Sequence, residues 1–187
     1  LVSSSAASDV YKRQAFVISM SGNPDIYNYN LKNNKISRLT SHYGIDTEPA
    51  WSPDGKKLLF TSNRSGSPQI FEIKISNKRI KRVTLDGSYN ARARFFPNGK
   101  NIVFVHGNNG IFHIATRNLK DRFVNIVTQT TLDESPTISP NGHIIIYSTK
   151  KENQGYLAGI TIDRKSKFQL PVKKGSVREP SWSPFLN

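Results

Sequence analysis

Four histidines, His42, His106, His113 and His143, carry ring nitrogens that could ligate a metal or move a proton near neutral pH. They fall at no metal-ligand spacing such as His-x-x-x-His and read as ordinary loop and strand residues. The chain has no cysteine, which excludes disulfides, thiolate metal sites and thiol catalysis. A Gly-x-Ser-x-Gly nucleophile elbow is absent. Gly107-Asn108-Asn109-Gly110 has neither the lysine nor the following helix of a phosphate-binding loop. These readings point to a non-enzymatic protein without cofactor or metal.

What remains is binding chemistry. Four polar segments mix Tyr and Arg, both favoured anchors at protein interfaces, with carboxylates and amides. They are 42–48, 88–92, 131–135 and 176–179, and the candidate binding residues are His42, Tyr43, Asp46, Thr47, Glu48, Tyr89, Asn90, Arg92, Asp133, Glu134, Arg178 and Glu179. Each has a structural alternative, because Asp, Thr and Glu also cap turns and pair with neighbouring elements.

A repeating set of elements must position these segments. Trp51-Ser52-Pro53-Asp54-Gly55, Phe95-Phe96-Pro97-Asn98-Gly99, Ile138-Ser139-Pro140-Asn141-Gly142 and Trp182-Ser183-Pro184 place prolines 44, 43 and 44 residues apart. Proline pre-sets the first turn position and glycine takes the conformation a side chain disfavours, so the turns are architectural. Apolar runs follow each glycine, at Lys57-Leu58-Leu59-Phe60, Asn101-Ile102-Val103-Phe104 and His143-Ile144-Ile145-Ile146-Tyr147, and read as buried strands. Alternating segments come next, at Gln69-Ile70-Phe71-Glu72-Ile73 and Gly110-Ile111-Phe112-His113-Ile114, with Asp25-Ile26-Tyr27 as an earlier copy. Each period ends on a short outer segment: Ile36 to Thr40, Ile80 to Thr84, Val124 to Thr128. A period of this length with four short strands describes an all-β propeller built of four-stranded blades. The repeats lie near 15–40, 48–84, 92–128 and 135–170, with a further strand expected at 179–184. In a propeller the connections into the innermost strands gather at one channel mouth, where the twelve candidates are expected to meet.

At 187 residues with 36% apolar composition, the chain can bury one sizeable core. No apolar run approaches the length of a membrane span. The net charge of +14 raises the possibility of a polyanion-binding adaptor, but Lys and Arg are spread over the turns and outer strands of every repeat, which reads as a solvated rim. Residues 1–14 match no repeat and read as a foreign, disordered leader joined to a longer protein that continues upstream.

Several stretches then resemble one family: Gly22-Asn23-Pro24-Asp25-Ile26-Tyr27, Thr47 to Gly55, Leu132 to Pro136 followed by Ser139-Pro140-Asn141-Gly142, and Glu179 to Leu186. Residues 15–187 resemble the C-terminal propeller of the TolB family, periplasmic components of the Tol-Pal system of Gram-negative bacteria. The resemblance implies a six-bladed ring, of which this chain holds about four blades' worth of strands, and an N-terminal α/β domain and signal peptide outside it. It implies an open arc with an exposed apolar flank rather than a four-bladed ring. It also implies a periplasmic, non-catalytic scaffold, peripheral to the membrane at most, that binds no nucleic acid. Its partner at the channel mouth would be the lipoprotein Pal, with bacteriocins able to use the same surface and TolA reached through the absent N-terminal part; outer-membrane integrity and envelope constriction at division would be its role. By position Thr47 and Glu48 resemble part of the Pal-contacting loop. The chain departs from the family pattern at Ala91-Arg92-Ala93-Arg94 and at Phe96. The propeller of a serine peptidase is the alternative, against which the Trp-Ser-Pro-Phe-Leu ending argues.

Overall fold

The computed structural model of the protein describes residues 3–8, 13–20, 22–152, 154–172 and 175–183. The elements are all strands: β1 (Ser3–Ser8), β2 (Arg13–Ser19), β3 (Pro24–Asn30), β4 (Lys35–Arg38), β5 (Asp46–Trp51), β6 (Lys57–Ser62), β7 (Gln69–Lys74) and β8 (Arg79–Arg82). They continue as β9 (Tyr89–Phe95), β10 (Asn101–Asn108), β11 (Ile111–Asn118), β12 (Val124–Ile126), β13 (Glu134–Ile138), β14 (Ile144–Lys151), β15 (Gln154–Thr161) and β16 (Lys167–Gln169). Four sheets of four strands result, each running in sequence order: β1 to β4, β5 to β8, β9 to β12 and β13 to β16. Chain neighbours therefore pair as meanders, the arrangement of a propeller blade. Residues Leu1–Ala93 and Arg94–Asn187 form two compact units.

In the first unit Val17, Ile26, Leu39, Trp51, Leu58, Phe60, Phe71 and Ile73 pack as one buried cluster. The Phe60 and Phe71 rings stack with centroids 5.8 Å apart. In the second unit Ile102, Phe104, Ile114, Ile145 and Ile160 are fully buried. Each such side chain contributes about 1.5–3 kcal/mol by leaving water, so the β-rich apolar runs decide which segments become central strands.

The Pro-centred turns share one geometry. Gly55, Gly99 and Gly142 adopt φ of 61°, 64° and 76°, and their N–H groups donate to the carbonyls of Ser52, Phe96 and Ser139 at 2.8, 2.9 and 2.8 Å. In two copies a serine hydroxyl also accepts a backbone N–H, Lys57 to Ser52 at 2.9 Å and Ile144 to Ser139 at 2.9 Å. Phe96 has no such oxygen, and Asn98 Oδ1 accepts from Lys100 and Asn101 instead, at 2.9 and 3.2 Å.

A second repeated device is a hydroxyl clasp. Thr40, Thr84 and Thr128 each follow the outer strand, and each Oγ1 accepts the N–H of Ile26, Ile70 or Ile114 in the third strand at 2.9 Å. The carbonyls of the same three isoleucines accept from Leu39, Val83 and Val127 at 2.8, 2.7 and 2.8 Å. In the fourth sheet Pro171 stands where the threonine would be, and only the backbone bond from Leu170 to Leu157 remains, at 2.9 Å.

Two expectations are corrected at the ends of the chain. Ser3–Ser8, set aside as part of a disordered leader, form β1 and pair antiparallel with β2. Strand β2 would otherwise present an unpaired row of backbone donors and acceptors, which an adjacent extended segment satisfies. Conversely, 179–183 contain no strand, since an extended segment becomes a strand only beside a partner that satisfies its backbone groups. Residues 1–2 and 9–12 of the leader, and Pro184 at the end of the expected final strand, lie outside the described residues.

A chain shortened to begin at Arg13 should therefore expose the β2 edge. Its urea midpoint should fall, by a few kcal/mol of stability for the lost ladder at about 1 kcal/mol per hydrogen bond, and size-exclusion chromatography should show concentration-dependent self-association. An unchanged midpoint would show that β1 contributes nothing.

Candidate functional site

The sequence candidates of the first unit gather around the starts of β5 and β9. The preceding loop is pinned at several points: the Gly44 N–H donates to His42 Nδ1 at 2.9 Å, Asn23 Nδ2 donates to the carbonyls of His42 and Gly44, and the Ile45 N–H donates to Asn63 Oδ1 at 2.7 Å. The His42 and Tyr43 rings lie 4.1 Å apart, and Tyr43 remains 84% exposed. An exposed phenol on a loop with this many anchors loses little conformational freedom when it binds a partner.

Behind this loop Asp46 is fully buried. Its Oδ2 accepts from Arg64 Nη2 at 2.6 Å, and the Arg64 guanidinium lies 5.1 Å from the centroids of both Phe60 and Phe71. Arg64 thus joins the aromatic core to the loop entrance by a charge-assisted bond and two cation–π contacts.

Glu48 adopts φ of 57°, and the repeat-related residues Arg92, Ser135 and Glu179 adopt 57°, 52° and 55°. They recur at intervals of 44, 43 and 44 residues, the same spacing as the prolines. Left-handed backbone is unfavourable for these residue types. In β5 and β13 it coincides with register shifts between Thr47 and Ala50 and between Glu134 and Thr137, so the strand kinks there and redirects its side chains. The Glu48 carboxylate offsets the strain: Oε2 accepts from the Thr61 hydroxyl at 2.7 Å and from the Arg92 N–H at 3.0 Å, and Oε1 lies 3.0 Å from Arg92 Nε. Thr47, Glu48, Tyr89 and Arg92 are half-buried, which leaves an accessible charged pair beside Tyr43 on the chain.

Asn90 is fully buried and structural. Its Nδ2 donates to Gln69 Oε1 at 2.9 Å and to the Asp86 carbonyl at 2.8 Å, and Gln69 Oε1 also accepts from the clasp residue Thr84 at 2.8 Å.

In the second unit Asp133 is likewise fully buried. Its carboxylate accepts from the Thr128 and Thr130 hydroxyls, and its N–H donates to the Phe112 carbonyl at 3.1 Å. Burial, and secondarily the Asp133 charge, push the Tyr147 phenol up to about 12. Glu134 and Arg178 line a cavity of about 10 Å³ together with Lys150 and Thr149. Arg178 and Glu179 are exposed.

Of the twelve candidates, then, Asp46, Asn90 and Asp133 are interior residues that shape the loops and present no surface. This corrects their assignment to a contact surface, since a buried hydrogen-bonded side chain reaches a partner only by breaking its own bonds. His42, Tyr43, Thr47, Glu48, Tyr89 and Arg92 belong to the first unit, where Glu48 and Arg92 meet, and Glu134, Arg178 and Glu179 belong to the second. Sequence reasoning missed Thr61, Arg64 and Gln69. The clasp threonines were visible as a repeat, but nothing in their spacing indicated which backbone group they would hold. Among the described residues no group of three His, Cys, Asp or Glu side chains could hold a metal ion.

A family model described as the TolB beta propeller domain matches residues 4–186. The chain is 46% identical over 76 residues to the Tol-Pal system protein TolB of Pseudomonas fluorescens (strain Pf0-1), an alignment covering 41% of this chain and 18% of that relative. The crystal structure of TolB from Acinetobacter baumannii superposes with a TM-score of 0.90 at 42% identity, over 97% of this chain and 46% of that one. The chain thus spans less than half of these proteins. Puromycin hydrolase superposes with a TM-score of 0.74 at 12% identity, over 90% of this chain and 28% of that one, a likeness of fold alone.

Glu48→Ala should cost about 1–3 kcal/mol in urea unfolding, because it removes the carboxylate that accepts from the Thr61 hydroxyl and the Arg92 N–H and faces the Arg92 guanidinium. Glu48→Gly should cost less, by up to about 1 kcal/mol, since glycine accepts the left-handed backbone. Equal losses would show that the backbone there is unstrained. A second expectation concerns alkaline pH. The folded Tyr147 phenol titrates near 12 against an ordinary 10.0, so its contribution is intact below pH 10 and falls as pH rises toward 12. Tyr147→Phe should flatten that part of the stability profile, and an unchanged slope would refute the assignment.

Proposed function

Because the chain belongs to the TolB beta propeller family, we propose that it is part of a non-enzymatic periplasmic scaffold of a Tol-Pal system. It docks the lipoprotein Pal and so supports outer-membrane integrity and envelope constriction at division. The observation that carries this reading is the exposed Tyr43, set on a loop held by Asn23 and Asn63 and followed along the chain by Thr47 and the Glu48–Arg92 pair. An aromatic anchor flanked by half-buried polar groups on a rigid support is the composition of a protein-binding hot spot. Asp46 and Arg64 act beneath it as positioning residues, because their bond sets where β5 begins.

The test is calorimetric titration of the chain with soluble Pal from the same genome. Saturable binding is expected, with Tyr43→Ala and Thr47→Ala each weakening it about tenfold, or ~1.4 kcal/mol, while leaving the thermal midpoint unchanged. Absence of binding by a folded chain, or binding indifferent to both substitutions, would overturn the proposal.

A further inference from the structure

Three positions in register across the blades are occupied in three different ways. In the second sheet they are Lys57, Glu72 and Lys81, which close on one another: Glu72 Oε2 lies 3.3 Å from Lys57 Nζ, and Oε1 lies 3.3 Å from Lys81 Nζ. In the fourth sheet they are Ile144, Gly159 and Phe168, and the Phe168 ring covers Gly159 so closely that a Cβ there would meet it at 2.1 Å. In the third sheet they are Asn101, Thr116 and Asn125. The pairings Glu72 with Lys81, Thr116 with Asn125 and Gly159 with Phe168 establish the equivalence.

The third set lines a cavity of about 200 Å³. Ile162 and Arg164, from the turn between β15 and β16, form another wall, and Phe96 supplies a third where the related turns carry Ser52 and Ser139. Among the described residues the side chains of Asn101, Thr116, Asn125 and Arg164 make no hydrogen bond or ion pair. Two arginines, Arg117 and Arg164, line the cavity and no carboxylate does. The acid of the neighbouring turn, Asp163, is engaged elsewhere, by the Thr161 hydroxyl at 2.6 Å and the Lys165 N–H at 3.1 Å.

Two amides and a hydroxyl with unused hydrogen-bonding capacity match a ligand that bears hydroxyl groups. A guanidinium without a carboxylate partner matches an oxyanion. The volume lies below the ~300 Å³ at which drug-sized pockets begin, which selects a small ligand. Were these positions merely structural, either of the arrangements in the neighbouring blades would fill the space. We propose that the cavity binds a small hydroxylated oxyanion, a sugar acid or a sugar phosphate, with Arg164 on the anionic group and Asn101, Thr116 and Asn125 on the hydroxyls.

Titration of the whole 187-residue chain with glucuronate, glucose 6-phosphate, glucose and inorganic phosphate, read by calorimetry, tests this. Saturable binding of one or both sugar oxyanions is expected at roughly millimolar affinity, and which one binds identifies the source of the anionic group. Glucose and inorganic phosphate should each bind at least about tenfold more weakly, since each lacks one half of the recognised chemistry. Arg164→Gln, at an exposed turn, should weaken the oxyanions about tenfold and leave the melting curve unchanged. Rebuilding the second blade's cluster in the third, as Asn101→Lys, Thr116→Glu and Asn125→Lys together, should abolish binding by closing the cavity. Should that triple variant fail to fold, Arg164→Gln decides alone. No saturation by either sugar oxyanion, equal binding of glucose or phosphate, or indifference to Arg164→Gln would overturn the proposal.

Discussion

The hydroxyl clasp at the end of the first three repeats is the interaction on which the rest depends. Thr40, Thr84 and Thr128 each accept an N–H from the third strand, at the point where the chain leaves one blade and starts toward the next. One such bond is worth only about 1 kcal/mol net, but it determines where the following connection emerges. The clasp is also continuous with the loops it launches. Thr84 and Asn90 meet on the same Gln69 oxygen, and Thr128 donates to Asp133. In the first blade Thr40 and Arg38 meet on Asp25. The polar acceptor changes from Asp25 to Gln69 to Asp133, while the threonine does not.

From these anchored connections the chain enters each new blade through a left-handed residue. A non-glycine φ above +50° at four repeat-related positions is a cost carried by the surrounding bonds. The Glu48 carboxylate shows how: the bonds that hold it in place also reach the backbone and guanidinium of Arg92 in the next strand start. The same residues are thereby both structural and accessible. Rigid support of this kind is what a docking surface requires, because a side chain already ordered gives up little entropy on binding.

Where the clasp and the core make no demand, the blades diverge. The positions of Lys57, Glu72 and Lys81 become Asn101, Thr116 and Asn125 in the next repeat and Ile144, Gly159 and Phe168 in the one after. Ionic, polar and apolar sets occupy one backbone geometry, since strand pairing constrains register and leaves chemistry open. Part of the large positive charge is met locally, where two lysines share Glu72.

Period, strand order and turn chemistry were legible in the sequence, because Pro-x-Gly turns 44 and 43 residues apart between apolar runs admit few other folds. The apolar runs from Leu58 and Ile102 are core strands for the reason their composition indicates. The segments that bear Tyr43, Thr47 and Glu48 could be located too, since they sit at a constant phase of the repeat. What side chains do within those segments was decided only by tertiary structure. Asp46, Asn90 and Asp133 look like surface polar residues in a list, yet each is drawn inside by partners 18, 21 and 5 residues away. The role of Ser3–Ser8 was hidden for a similar reason, as their pairing answers an edge left open by β2 rather than any pattern of their own. Local spacing encodes the strand; which partner a buried polar group meets depends on how the chain folds back around it.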